Sequence, residues 1–160
     1  MLIEGKFGVQ APIQKVWDTL FDPQALLSCV PGAEKIEQVD ERTFNCIIKQ
    51  KVGPITVKFK VKNTLIKVVS PNYIEFYAEG EDITRTNHIS MKSVVNITEP
   101  CAAKVEVSYT APISVTGKLS MFGDRIMRAK AKQIQEDFTR ALSEKVRGVS
   151  RNGSPAAPKR

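Results

Sequence analysis

The segment KLSMFGDRIMRAKAKQIQEDFTRALSEKVR, residues 118–147, constrains how the rest of the chain can fold. It contains no proline and has glycine only at position 123. Apolar residues recur along it at helical spacing, which predicts one long amphipathic helix of roughly seven or eight turns. Its apolar stripe consists of Leu119, Phe122, Ile126, Ala129, Ile134, Phe138, Leu142 and Val146.

The chain before this segment is predicted to form mainly strands. Residues 2–10 alternate apolar and polar, and the same period of two recurs almost throughout residues 33–116, which indicates half-buried strands. Between them, residues 12–21 and 23–30 predict two short helices, the second capped by Asp22. We therefore expect an α+β fold: a strand, two short helices, about six further antiparallel strands, and the long C-terminal helix packed across the sheet.

The proportions of these elements predict a cavity. A helix is about 10 Å across, whereas a sheet of six or seven strands at about 4.8 Å spacing is roughly 30 Å wide. One helix cannot fill the concave face of such a sheet, and the surplus is either packed with side chains or open to a ligand. The expected apolar lining consists of Phe59, Phe76, Met91, Tyr109, Phe122, Ile126, Trp17 and Phe21.

Polar residues occur on the same inward parity. Gln50, Asn63, Asn87 and Ser93 either bond to the protein itself or orient the polar head of a ligand, because a buried polar group without a partner costs about 1–3 kcal/mol. Both alternatives stay open from the sequence.

Charge is distributed unevenly. Residues 1–117 carry 13 basic and 13 acidic side chains, whereas residues 118–160 carry 11 and 4, which accounts for the net charge of +7. Arg125, Arg128 and Lys132 therefore predict a basic docking face for an acidic protein or an anionic membrane. The domain is expected over residues 1–147 and a disordered basic tail over 148–160. The alternating lysines at 58–62 are interpreted as the solvent-exposed face of an amphipathic strand, so no nucleic-acid partner is expected.

The sequence offers little chemistry. One histidine, His88, lies on an outward position, and no catalytic residue or metal site is expected. Three separated cysteines suit a reducing cytoplasm, and neither a secretory signal nor a membrane span is expected.

Three motifs carry a family resemblance. They are the D-P-x-x-L-x-x-C-x-P-G run from Asp22 to Gly32, the V-G-P-I turn from Val52 to Ile55, and the G-x-L-x-x-x-G-x-R pattern from Gly117 to Arg125. Over about residues 2–145 the chain resembles the CoxG family of carbon monoxide dehydrogenase subunits, which falls in the START-like, helix-grip (SRPBCC) superfamily.

The resemblance implies an apolar cavity that binds a ligand such as a quinone or lipid. Together with the lack of catalytic residues, it leads us to expect a non-enzymatic protein that requires no cofactor. It also implies partnership with a molybdenum CO dehydrogenase-type hydroxylase, for recruitment or electron relay at the membrane, and hence a cytoplasmic protein with weak peripheral contact at the inner membrane face. The alternatives are a pure interaction adaptor with a packed core and an enzyme acting on an apolar substrate.

Overall fold

The computed structural model describes residues 1–147; the predicted basic tail over 148–160 lies outside the described residues. The elements follow the predicted order, with six strands after the two short helices. They are β1 (Leu2–Val9), α1 (Ile13–Leu20), α2 (Pro23–Cys29), β2 (Ala33–Gln38), β3 (Thr43–Val52), β4 (Ile55–Val69), β5 (Tyr73–Asp82), β6 (Asn87–Cys101), β7 (Lys104–Gly117) and α3 (Gly123–Val146).

The seven strands form one antiparallel sheet in the order β1-β7-β6-β5-β4-β3-β2. Strands β2 to β7 are joined as consecutive hairpins, and β1 pairs with β7. Register aligns the inward positions across the sheet: Cys46, Val61, Gly80, Ile89 and Val115 lie opposite one another in turn. Because successive strand residues point to opposite faces, this alignment gives one continuous apolar face, as predicted.

The two short helices begin where the sequence indicates. The Asp22 carboxylate caps α2 by accepting hydrogen bonds from the backbone N–H groups of Gln24 at 3.0 Å and Ala25 at 3.4 Å. Helix α1 buries Val16 and Trp17 in an apolar cluster that it shares with the sheet and with α3.

The long helix starts later than predicted. Residues Lys118–Phe122 form a 3-10 turn, and α3 begins at Gly123. Gly117 and Gly123 have φ angles of 100° and 78°, which interrupt a helix, and the Leu119 N–H is donated to the Asn87 side-chain oxygen at 2.8 Å. This long-range bond fixes the tighter turn, so the prediction of one helix from residue 118 was wrong over its first five residues.

Buried apolar side chains form two separate clusters. The first joins α1 and α2 to β1, β5, β6, β7 and the C-terminal half of α3, around Val16, Ile97 and Leu142. The second lies at the other end, where Val52, Val57, Phe59 and Leu119 pack under the 3-10 turn. A domain of this size more commonly has one contiguous core. The concave surface between the two clusters is therefore a region where the core is interrupted.

Candidate functional site

The concave surface between the two clusters is covered incompletely. Helix α3 approaches β1 and β3 more closely than any of the four strands between them. Ile48, Met91, Tyr109 and Ile113 occupy inward positions in this region, and each is half-buried and belongs to neither cluster. We call this surface, together with Ile134 and Gln135 on the facing side of α3, the interior cleft.

The eight predicted apolar lining residues fall in four places. Trp17, Phe21 and Phe76 belong to the first cluster or pack against it, and the Trp17 and Phe21 rings lie 4.7 Å apart. Phe59 and Phe122 belong to or pack on the second cluster. Only Met91 and Tyr109 lie between the clusters.

Ile126 lies outside both clusters and is 40% exposed. It lines a small cavity of about 200 Å³ with Lys51, Val52 and Gly53, at the side of α3 next to the β3–β4 turn. Ile126 therefore stands at an edge of the helix–sheet interface rather than inside it.

One hydrogen bond crosses the interior cleft. The Tyr109 hydroxyl on β7 donates to the side-chain carbonyl oxygen of Gln135 on α3, and burial raises the pKa of Tyr109, which keeps the donor protonated. Gly5 on β1 makes room for this pair, because a Cβ there would lie 2.6 Å from the Tyr109 oxygen. Gln135 was not predicted from the sequence, although a polar residue between Ala131 and Phe138 on an apolar helix face was a usable signal.

Three of the four predicted polar residues are bonded to the protein. Gln50 donates to the Pro31 carbonyl at 2.7 Å. Asn63 donates to the Phe44 carbonyl at 3.3 Å and to Cys46 Sγ at 3.6 Å. Asn87 donates to Asp82 and accepts from Leu119, so its side chain ties the 3-10 turn to the sheet. Ser93, the fourth, makes no such bond within residues 1–147.

Asp82 is a buried carboxylate that the sequence analysis did not single out. It accepts from Thr84, from the N–H groups of Thr86 and Asn87, and from the Asn87 amide. Burial alone raises the pKa of Asp82, but these hydrogen bonds outweigh it and lower the pKa from 3.8 to about 2. Its oxygens are committed to the β5–β6 turn, so Asp82 acts as a structural anion.

A second cavity lies on the opposite, outer face of the sheet. Its volume is about 610 Å³, and it extends across the six strands β2 to β7. Its lining includes the outward residues Lys60, Lys62, Glu79, Glu81 and His88. Like the small cavity beside Ile126, it is not enclosed between α3 and the sheet. The burial pattern and the spacing of the concave face are therefore the features that indicate an interior ligand site.

The predicted basic face lies on one side of α3. Arg125, Arg128 and Lys132 are exposed, and their spacing of three and four residues puts them on one stripe. The Arg128 guanidinium also donates to the Leu2 carbonyl at 2.6 Å. Arg125 and Lys132 thus remain the residues of this stripe with no protein partner within residues 1–147.

Two kinds of site are absent from the described residues. None of the helices in residues 1–147 is long and apolar enough to cross a membrane. The same residues contain no group of three or more His, Cys, Asp or Glu side chains placed to hold a metal ion.

Solved structures of low sequence identity share this fold. A conserved protein from Geobacillus kaustophilus is 19% identical, with a TM-score of 0.85 over 91% of this chain and 95% of that one. A START superfamily protein from Mycobacterium smegmatis is 10% identical, with a TM-score of 0.72 over 93% and 99%. The Zhui aromatase/cyclase from Streptomyces sp. R1128 is 15% identical, with a TM-score of 0.68 over 96% and 98%.

These similarities, together with the long helix α3 packed across the antiparallel sheet, define a START-like helix-grip fold. No curated protein sequence matches the chain. The family model for CoxG, a carbon monoxide dehydrogenase subunit, matches residues 5–147. The chain therefore belongs to the CoxG family, as the sequence motifs predicted.

Proposed function

We propose that the protein is a non-enzymatic carrier that holds one apolar molecule, a quinone or similar lipid, in the interior cleft. The observation that carries this proposal is the division of the core into two clusters with half-buried apolar side chains between them. Apolar surface left in contact with water costs about 25 cal/mol per Å², so an apolar guest would be stabilised there without new chemistry.

A carrier role is favoured over catalysis because the inward strand positions of residues 1–147 hold no convergent acid–base pair. The charged residues at inward strand positions of β3 to β7 are Asp82 and Glu99. Asp82 is committed to the β5–β6 turn, and Glu99 accepts hydrogen bonds from the backbone N–H groups of Ile13 and Ala103. Since one structural neighbour is described as an aromatase/cyclase, a turnover screen with polyketide-like compounds tests the enzyme alternative directly.

The description of the family supports a partner enzyme. We propose that the chain is accessory to a molybdenum CO dehydrogenase-type hydroxylase, recruiting it or relaying electrons to or from it at the inner face of the membrane. The exposed Met121, beside Lys118 and Arg125 at one end of the molecule, is suited to shallow contact with an anionic bilayer.

Ligand uptake is measured by native mass spectrometry of the full chain incubated with decylubiquinone. We expect one bound quinone for the wild type and loss of binding for Met91→Trp, which fills the interior cleft. Ser90→Trp is the matched control, because Ser90 lies one position away on the outer face of β6. A wild-type protein that takes up no quinone and carries no apolar ligand after gentle purification contradicts the carrier proposal.

The second candidate function is a pure docking adaptor, which the exposed basic stripe favours. Arg125→Glu with Lys132→Glu is then expected to abolish association with the acidic surface of a hydroxylase, while Arg128 is kept because it bonds to Leu2. Lys49→Glu with Lys104→Glu, two exposed reversals on β3 and β7, makes the same change in net charge and is the control. Unchanged association in the Arg125/Lys132 double variant rules out this docking face.

A further inference from the structure

Ser93 carries an unused hydroxyl on the concave face. Its side chain is on β6, opposite Phe76 on β5, and the residue is only 4% exposed. Within residues 1–147 the hydroxyl has no hydrogen-bond partner. The described residues contain no wholly enclosed side-chain oxygen or nitrogen without a partner, so the Ser93 oxygen must still border open space.

Gln135 presents a second unused group to the same region. Its carbonyl oxygen accepts the Tyr109 hydroxyl, which fixes the orientation of the amide. The two amide hydrogens have no partner among the described residues. A half-buried amide held in this way offers two donors at a defined position, and leaving them unpaired disfavours an empty cleft.

Tyr109 connects the sheet face that carries Ser93 to Gln135 on α3. Val95 lies opposite Tyr109, and Ser93 is two residues from Val95 on the same face, so Ser93 and Tyr109 are diagonal neighbours about 7–8 Å apart. Tyr109 reaches across to Gln135 on α3. Met91 and Ile113, opposite each other, continue the apolar wall beside this polar patch.

The polar patch holds donors but no charge to match an anion. Ser93 and Gln135 can donate three hydrogen bonds between them, and no lysine, arginine or histidine occupies an inward position of β3 to β7. Burying an unpaired carboxylate or phosphate there would be costly. A neutral oxygen acceptor on an apolar skeleton is the head group that suits this surface.

We infer that the Ser93 hydroxyl and the Gln135 amide, held in place by Tyr109, anchor the neutral carbonyl of an apolar ligand in the interior cleft. This inference rests on the proposed carrier function and adds the chemical class that the cleft selects. Carbonyl-bearing apolar molecules bind in preference to hydrocarbons of the same shape and to carboxylates of similar size.

Calorimetric titration of the full chain with three matched probes tests the anchor. Duroquinone carries two ring carbonyls, durene is its hydrocarbon counterpart, and 2,3,5,6-tetramethylbenzoate supplies an anion. We expect the wild type to bind duroquinone at least about tenfold more tightly than the other two, since each hydrogen bond contributes on the order of 1 kcal/mol. Ser93→Ala and Gln135→Met should each lower duroquinone affinity about tenfold and leave durene affinity unchanged.

Ser90→Ala is the matched control on the outer face of β6, and thermal melts report whether each variant folds. Equal wild-type affinity for duroquinone and durene, or an equal loss of both in the two variants, overturns the anchor and leaves the carrier proposal standing. A wild type that binds neither compound contradicts the carrier proposal itself. Tighter binding of the benzoate than of duroquinone overturns the assignment of a neutral head group.

Discussion

Asp82 is the residue whose charge contributes most visibly to the fold. Its folded-state pKa of about 2 lies below the ordinary value of 3.8, so its contribution to stability is complete above about pH 4 and is lost as the pH falls through 2. Asp82→Asn should cost about 1–3 kcal/mol at pH 7, because the new amide donors face the N–H groups of Thr86 and Asn87.

Urea unfolding at pH 7, 4 and 2.5 checks this expectation for Asp82. The difference in unfolding free energy between the wild type and Asp82→Asn should shrink as the pH falls from 4 to 2.5. Glu41→Gln, at an exposed carboxylate in the β2–β3 turn, should follow the wild type at all three pH values. A difference that stays constant with pH refutes the assigned role of the ionised carboxylate.

Gly5 is required for a different reason, namely the space that a side chain would take. A Cβ at Gly5 would lie 2.6 Å and 2.8 Å from the oxygen and Cζ of Tyr109, so Gly5→Ala should displace the Tyr109–Gln135 pair and cost about 1–3 kcal/mol of stability. Gly8→Ala on the same strand is the control, since its nearest contact would be 3.7 Å from the Val105 oxygen. Equal unfolding midpoints for the two variants would show that the pair tolerates the added methyl group.

At the scale of elements, the two halves of α3 contribute differently to the stability of the fold. Leu142 in the C-terminal half is fully buried in the first cluster, whereas Ile126 in the first turns is 40% exposed. Leu142→Ala should therefore cost about 2–5 kcal/mol of unfolding free energy, and Ile126→Ala less than about 1 kcal/mol. Chemical denaturation measures both, and comparable losses would mean that the N-terminal half is packed as tightly as the C-terminal half.

Two local features, the two-residue period of apolar side chains in strands and the capping residues at helix starts, explain which elements could be predicted from the sequence. The alternation of apolar residues along β4 and β6 is dictated by the pleat, and Asp22-Pro23 fixes the start of α2 through a local hydrogen bond. The start of α3 was misplaced because its cause is not local. Asn87 reaches Leu119 from 32 residues away, and Gln50 reaches Pro31 from 19 residues away.

The candidate site was predictable only in part for the same physical reason. The pattern puts Met91, Ser93 and Tyr109 on one face of the sheet, and the register confirms this shared face. It does not determine which inward residues are consumed by packing, as Phe59 is, or by hydrogen bonds within the protein, as Asn87 is. Those outcomes depend on where α3 crosses the sheet.

At the scale of the whole molecule, helix and sheet differ in width. Seven strands present more concave surface than one helix covers, and α3 is held near β1 and β3. The core consequently closes at both ends and stays incomplete in the middle. A protein of this shape has its stability in the two clusters and its binding capacity between them, so ligand uptake and folding should respond to different substitutions.

The 3-10 turn before α3 exposes Met121 close to the basic residues Lys118 and Arg125. Met121 is 83% exposed, and residues 118–147 carry eight basic and four acidic side chains. Met121→Asp should weaken binding to phosphatidylglycerol-containing vesicles about tenfold, because insertion of one such side chain contributes about 1.5–3 kcal/mol. Co-sedimentation at low and high salt measures it, and binding of the wild type should weaken as salt screens the basic residues. Val39→Asp is the control, since Val39 is 55% exposed in the turn between β2 and β3, and this variant should bind as the wild type does. A wild type that does not bind these vesicles, or equal losses in both variants, would exclude the 3-10 turn as the membrane contact.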